Sequence, residues 1–231
     1  MLSFEHTNTF LLSCVMKSGG DFSWDHVRRL KIDLDKHLTL PFILFVLSDQ
    51  AMPEDLLKQN CQLIFLRHNW PGWWSKIELF RCFDESFYFD LDTAIIDNIN
   101  HLVSFSHRFS ALRGFYGRPF GSGLMAWSGN YRFIYEEFKL GNPQVIMNYY
   151  RQKKWGDQEF IGARIKEPLI FQDQFKDEIV SYKLHVQGKE LPKKAKIVCF
   201  HGKPRIQDVS ESWLEQKIYL KPLQESQLLL F

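Results

Sequence analysis

The chain has 231 residues, 45% of them apolar and 16% aromatic, with a formal net charge of +2. Such a composition supports a packed core and argues against disorder, and the near-neutral balance gives no electrostatic footprint for nucleic acid. No run approaches the ~20 apolar residues of a membrane span, so no transmembrane segment is expected. This length suits one α/β domain, and residues 1–231 are read as one, with the tail from about 210 least determined. Cys14, Cys61, Cys82 and Cys199 form no CxxC pair and no zinc spacing. Scattered thiols beside an ample core read as reduced and cytosolic. The opening MLSFEHTNTFLLSCVMKSGG lacks the basic start and continuous apolar stretch of a secretory signal. The expected setting is therefore cytoplasmic, with peripheral attachment to a membrane left open.

In chain order, TFLLSCVM (Thr9 to Met16) is a buried strand that ends at the turn KSGGD. Trp24, Val27, Leu30, Leu34 and Leu38 recur at helical spacing behind Ser23 as N-cap. FILFVL (Phe42 to Leu47) and QLIFL (Gln62 to Leu66) are further strands, WSKIELFRCF is helical, and SFYFD (Ser86 to Asp90) is the fourth strand. GLMAW (Gly123 to Trp127) reads as a strand. Tyr131 to Lys139, Pro143 to Lys153 and Asp157 to Ile165 read as helices. KIVCF (Lys196 to Phe200) is another strand, running into HGKPR. Strands separated by helices predict a mainly parallel, Rossmann-like central sheet covered on both faces.

The tripeptide DLD occurs twice, at Asp33/Asp35 and at Asp90/Asp92. The first pair falls inside the predicted helix, where residues two apart do not share a face, and reads as two solvated aspartates. The second ends a strand, where extended chain would send both carboxylates to one side. Strand C-terminal ends are also where open α/β sheets bind ligands. Carboxylate oxygens suit a hard divalent cation; the plain alternative is a turn whose aspartates cap local backbone.

Five segments in order, GWWSKIELF, FYFDLDTAI, GSGLMAW, WGDQEF and IVCFHGKPR, resemble nucleotide-sugar-dependent glycosyltransferases of the GT-A fold. The likeness is greatest to family 8, which includes glycogenin and lipopolysaccharide galactosyltransferases, and it covers Thr9 to Arg205. It implies that Asp90, Asp92 and His201 bind Mn2+ (or Mg2+) and through it the donor diphosphate. It further implies Gly202, Lys203 and Lys76 near that diphosphate, and Ser122 and Gly123 along the donor sugar. Asp157 and Gln158 would sit by the reacting carbon, and Val15 and Lys17 by the nucleoside base. The implied partners are a UDP-sugar donor and a glycan or other hydroxyl acceptor, with retention of configuration. Two departures stand out: only Gly202 separates the histidine from the lysine, and KPRIQ lacks the expected tryptophan after Lys-Pro.

The residues fit this chemistry. A divalent cation can stabilise the charge that builds on a leaving diphosphate, and lysines can hydrogen-bond its oxygens. An Asp, Asp, His set suits manganese. Each has a plainer alternative: surface lysines at Lys76 and Lys203, a strand-end histidine at His201, and an ordinary helix cap at Asp157. Trp70, Trp73 and Trp74 read as core packing before a sugar platform, GSG (Gly121 to Gly123) equally as a close backbone approach to a ligand or a simple turn, and RQKK (Arg151 to Lys154) as a solvated helix face. Two rival functions remain. FDLDT resembles the motif of haloacid-dehalogenase-type phosphatases, and a non-catalytic sugar-binding module could keep the same fold. The tail WLEQKIYLKPLQESQLLLF has no basic face and is expected to fold back on the core rather than dock on a membrane.

Overall fold

The computed structural model describes residues 9–154 and 156–214. The strands are β1 (Phe10–Met16), β2 (Phe42–Ser48), β3 (Cys61–Phe65), β4 (Glu85–Phe89), β5 (Thr93–Ile95), β6 (Phe109–Leu112), β7 (Gly121–Ser128), β8 (Leu169–Ile170), β9 (Ile179–Ser181) and β10 (Ile197–Cys199). The α-helices are α1 (Trp24–His37), α2 (Glu54–Leu57), α3 (Leu79–Cys82), α4 (Asn100–Val103), α5 (Arg132–Leu140), α6 (Pro143–Gln152), α7 (Asp157–Gly162) and α8 (Phe171–Gln174).

Seven strands form the main sheet in the order β3-β2-β1-β4-β7-β6-β8. β1 runs parallel to β2 and β4, β2 parallel to β3, and β6 parallel to β8. β7 is antiparallel to both neighbours, β4 and β6. The chain winds outward from β1 to β3 and then returns to place β4 on the other side of β1. That reversal opens a crevice at the C-terminal ends of β1 and β4, the usual ligand position in such sheets.

Local chemistry explains the elements that frame the crevice. Ser23 caps α1: its hydroxyl accepts the Asp25 N–H at 3.3 Å, and His26 Nδ1 accepts the Ser23 N–H at 3.0 Å. Val27, Leu30 and Leu34 of α1 are fully buried and pack with Phe87 and Phe89 of β4 on one face of the sheet. Tyr88, between those two, faces the opposite layer with Trp74, Ile77, Trp127 and Phe138. This is the alternation that a strand buried on both faces requires.

WSKIELFRCF forms two short helical pieces instead of one. Gly72–Glu78 is a 3-10 helix behind Pro71, and α3 follows. Ser75 Oγ donates to the Gly72 carbonyl at 2.7 Å, a local bond that competes with α-helical pairing. The helix expected to reach Ile165 stops at Gly162.

A second sheet, β5-β10-β9, has three strands, and β10 pairs antiparallel with β5 and parallel with β9. Its apolar cluster includes Tyr182, Val198 and Phe200, with Trp213 and Leu214 packed against it. The start of the tail therefore folds onto the protein as expected; its remainder lies outside the described residues. The four cysteines are unpaired. No described helix is long and apolar enough to cross a membrane.

Candidate functional site

Asp90, Leu91 and Asp92 form the turn that joins the main sheet to the small one. The Thr93 N–H donates to the Asp90 carbonyl at 3.1 Å, and Leu91 is buried in the core. The aspartates are thus not a continuation of β4, and strand alternation is not what brings their carboxylates together. The turn does so, held from below by Arg29 of α1. Arg29 Nη2 donates to the Leu91 carbonyl at 3.0 Å and the Thr93 carbonyl at 2.7 Å, while Nη1 contacts Asp33 Oδ2 at 2.6 Å. Asp33 also accepts the Ile95 N–H at 3.2 Å. The first DLD therefore departs from expectation: Asp35 is exposed and paired with Lys31, but Asp33 points inward and braces the second DLD.

β10 brings His201 to the same place. Cys199 is in register with Thr93, and the Phe200 N–H donates to the Asp92 carbonyl at 3.0 Å. Residues more than a hundred positions apart thereby line one cleft of about 740 Å³, within the range of small-ligand sites. Asp90, Asp92, His201, Gly202, Lys76, Ser122, Gly123, Asp157 and Gln158 all line it.

At its floor lies a buried charge cluster. Lys76 Nζ is 3.0 Å from Asp90 Oδ1, 3.3 Å from Asp157 Oδ2 and 3.1 Å from Ser122 Oγ. Ser122 Oγ donates to Asp157 Oδ2 at 2.6 Å, and the Tyr88 hydroxyl donates to Asp90 Oδ1. Lys76 is 3% exposed, which rules out a surface lysine. Burial pulls its ammonium down, but Asp157 and Asp90 outweigh that and hold it above the ordinary lysine value. Nor does Asp157 cap its helix: Gly156 is the N-cap, and its N–H donates to Glu159 Oε2 at 2.7 Å, leaving the Asp157 carboxylate for Lys76 and Ser122. Burial, opposed by Lys76 and Ser122, raises the Asp157 carboxyl above its usual range.

The Asp92 carboxyl is also raised, by burial first and by Asp90 next. Its Oδ2 accepts from Arg205 Nη1 at 2.8 Å. The His201 imidazole stacks on Phe115 with ring centroids 5.1 Å apart, and its Nε2 meets Ser181 Oγ at 2.6 Å. Burial, then Lys183 and His185, pull it down to about 4, so it is neutral near pH 7. Asp90, Asp92 and His201 thus share a cleft, but each has a partner of its own. Among the described residues no group of three or more His, Cys, Asp or Glu side chains is assembled as an ion site. The donor chemistry nevertheless suits a divalent cation: two carboxylates and a neutral imidazole.

Three expected residues lie elsewhere. Val15 packs into the apolar layer of the sheet, and Lys17 pairs with Asp49 at the ends of β1 and β2; neither lines the cleft. Lys203 points outward, its side chain 73% exposed and 3.5 Å from Asp208. Its neighbour Gly202 sits at φ +67°, so the tight HGKP turn aims the lysine away. The sequence reading also missed contributors. Arg29 carries no motif signal, being one basic residue among many, whereas Tyr88 and Arg205 lie within the FYFDLDTAI and IVCFHGKPR segments but were given no role there. The tryptophans divide: Trp70 and Trp74 are buried, whereas Trp73 is 59% exposed on the cleft wall, beside Gly156. Arg151 and Lys154 line the same wall, so RQKK is not only a solvated face.

No protein-family model matches the sequence, and no curated protein matches it either. The fold does match solved glycosyltransferase structures. The glycosyltransferase GlyE of Streptococcus pneumoniae TIGR4 superimposes with a TM-score of 0.59 at 13% identity, over 86% of this chain and 56% of that one. The galactosyltransferase LgtC, solved with donor and acceptor sugar analogs, gives 0.59 at 11% identity, over 85% and 88%. The bifunctional glycosyltransferase WbbM gives 0.57 at 11% identity, over 89% and 48%. The chain spans only a little over half of GlyE, and at these identities the likeness establishes the fold, a GT-A-like α/β architecture.

Proposed function

We propose that the protein is a glycosyltransferase that moves a sugar from a nucleoside-diphosphate donor, UDP-linked, to a hydroxyl of a glycan or similar acceptor. The observation that carries this is the cluster of Lys76, Asp90, Ser122 and Asp157 at the floor of the cleft. It lies where this fold binds ligands and combines a buried cation with carboxylates facing the same space. In the reaction the bond from the anomeric carbon to the diphosphate oxygen breaks, and the acceptor oxygen forms its bond to that carbon and gives up its proton to the departing diphosphate or to solvent. Negative charge grows on the leaving diphosphate, positive charge on the sugar ring. In this reading Lys76 meets the first, and Asp157 and the Gln158 amide face the second. Ser122 and Gly123 would line the sugar, and Gly202 the diphosphate. Retention of configuration belongs to the same reading.

A divalent cation, Mn2+ or Mg2+, is part of the proposal. Asp90, Asp92 and His201 would hold it, and it would supply further charge stabilisation for the leaving group. Lys203 would have to turn inward to assist, and Val15 and Lys17 would serve the base only from beyond the cleft.

The test is nucleotide release from a panel of nucleotide sugars in manganese. Asp92→Asn should abolish release with circular dichroism unchanged; no release from any donor would overturn the reading. A phosphatase of the haloacid-dehalogenase type would instead hydrolyse simple phosphate esters without a nucleotide sugar. A non-catalytic module would bind donor or glycan and release nothing.

A further inference from the structure

Arg205, which lines the cleft, bridges two carboxylates, Asp92 within the cleft and Asp21 outside its lining. Nη1 donates to Asp92 Oδ2 at 2.8 Å. Nε and Nη2 lie 3.0 and 2.9 Å from Asp21 Oδ2, in the loop after β1. The guanidinium also sits over the Phe22 ring, 5.3 Å from its centroid. The backbone beneath it is fixed. The Arg205 N–H donates to Asp208 Oδ2 at 2.8 Å, the Asp208 N–H returns to the Arg205 carbonyl at 3.0 Å, and Gln207 meets His26 at 3.2 Å. The side chain can therefore move without its loop.

A divalent cation on Asp92 would bring a second positive charge beside the Arg205 guanidinium in a buried site, and that repulsion favours release of the arginine. A guanidinium released there would face the cleft with its planar fork, which matches phosphate oxygens in pairs. Asp21, 49% exposed at its side chain, lies on the solvent side and would keep the group at the mouth.

We propose that Arg205 is the resident counter-cation of Asp92 and passes to the donor's diphosphate when a divalent cation takes that carboxylate. This rests on the donor reading given above. The handover makes metal and nucleotide strengthen each other: metal frees the arginine for phosphate, and phosphate keeps the arginine off Asp92. Such coupling is reciprocal.

Calorimetry on the full chain tests it, with Mn2+ alone, UDP alone and both together. In the unaltered protein, saturating UDP should tighten Mn2+ binding about tenfold or more, roughly 1.4 kcal/mol. Arg205→Met should bind Mn2+ alone about fivefold tighter or better, and UDP in saturating Mn2+ about tenfold weaker. Arg205→Lys keeps a charge near Asp92 but loses the fork. It should hold Mn2+ affinity near the original value while weakening UDP, and it serves as the second variant if Arg205→Met fails to fold. Unchanged or weaker Mn2+ binding by Arg205→Met, or unchanged UDP binding by both variants, overturns the handover alone. Absence of UDP binding by the unaltered protein at every Mn2+ concentration overturns the donor reading with it.

Discussion

Arg29 and Asp33, one helical turn apart on α1, form an ion pair at 2.6 Å whose guanidinium holds two carbonyls of the DLDT turn. Arg29 is 4% exposed, so water cannot replace its partner, and removing one member of a buried pair strands the other. Asp33→Ala should therefore destabilise the protein by about 3 kcal/mol, read from urea unfolding. The turn carrying Asp90 and Asp92 should loosen with it. A change below about 0.5 kcal/mol would mean that Asp33 is an ordinary surface aspartate.

Lys76, itself buried, sits between Asp90 and the buried Asp157 at the floor of the cleft. Lys76→Met leaves the two carboxylates without the cation between them. They would then bind protons or swell the site. Nucleotide release should fall by a factor of about a hundred or more, and Lys76→Arg should not restore it, because a planar fork does not fit a space shaped for an ammonium. Turnover within a few-fold of the original in Lys76→Met would remove Lys76 from the machinery.

β1 to β4, β7 and α1 were legible because their apolar runs are long or their periods clear, whereas β6 and β8 of the same sheet, with four and two residues, were not. Leu30 and Leu34 announce a helix face, and FILFVL a buried strand. The second sheet was largely hidden. β5 and β9 have three residues each, too few for any period to show, and β10 was visible only as the run before His201. Without β5, nothing in the sequence explains why His201 lies beside Asp92; that follows from the Thr93–Cys199 register. Lys76 was placed at the site by resemblance alone, since its spacing cannot tell a buried lysine from a surface one. Arg29 pairs with distant backbone, which leaves no local pattern, and Arg205, though inside the HGKPR segment, has carboxylate partners at Asp21 and Asp92 that no local pattern reveals.

Gly202 occupies the left-handed region at φ +67°, and a Cβ there would meet Lys183 Nζ at 3.2 Å. The lysine tip can yield, so the cost is set by the backbone. Gly202→Ala should destabilise by about 1–2 kcal/mol, measured by thermal unfolding. It should also shift the His201 ring, whose stacking on Phe115 depends on the turn that follows it. A stability equal to that of the original protein would show that the turn relaxes freely.

His107 gives a pH dependence remote from the cleft. Its Nε2–H donates to the Leu102 carbonyl at 2.8 Å, so Nδ1 accepts from the Ser110 hydroxyl at 2.7 Å. Phe87, Phe105 and Phe171 surround the ring. Burial lowers its pKa, with the Leu102 carbonyl opposing. The folded protein therefore keeps His107 neutral below about pH 6.5, where the unfolded chain takes up a proton. The sign follows: this contribution is present above the unfolded value and is lost as pH falls toward the depressed one. Stability should drop on acidification through that window, by at most about 1.4 kcal/mol per pH unit for one proton. His107→Gln can keep the bond to Leu102 without titrating. Its unfolding free energy should fall less steeply between about pH 6.5 and 5 than that of the original protein. An identical slope in the two proteins would show that His107 does not contribute, leaving His26, His185 and His201, all likewise lowered, to account for the loss.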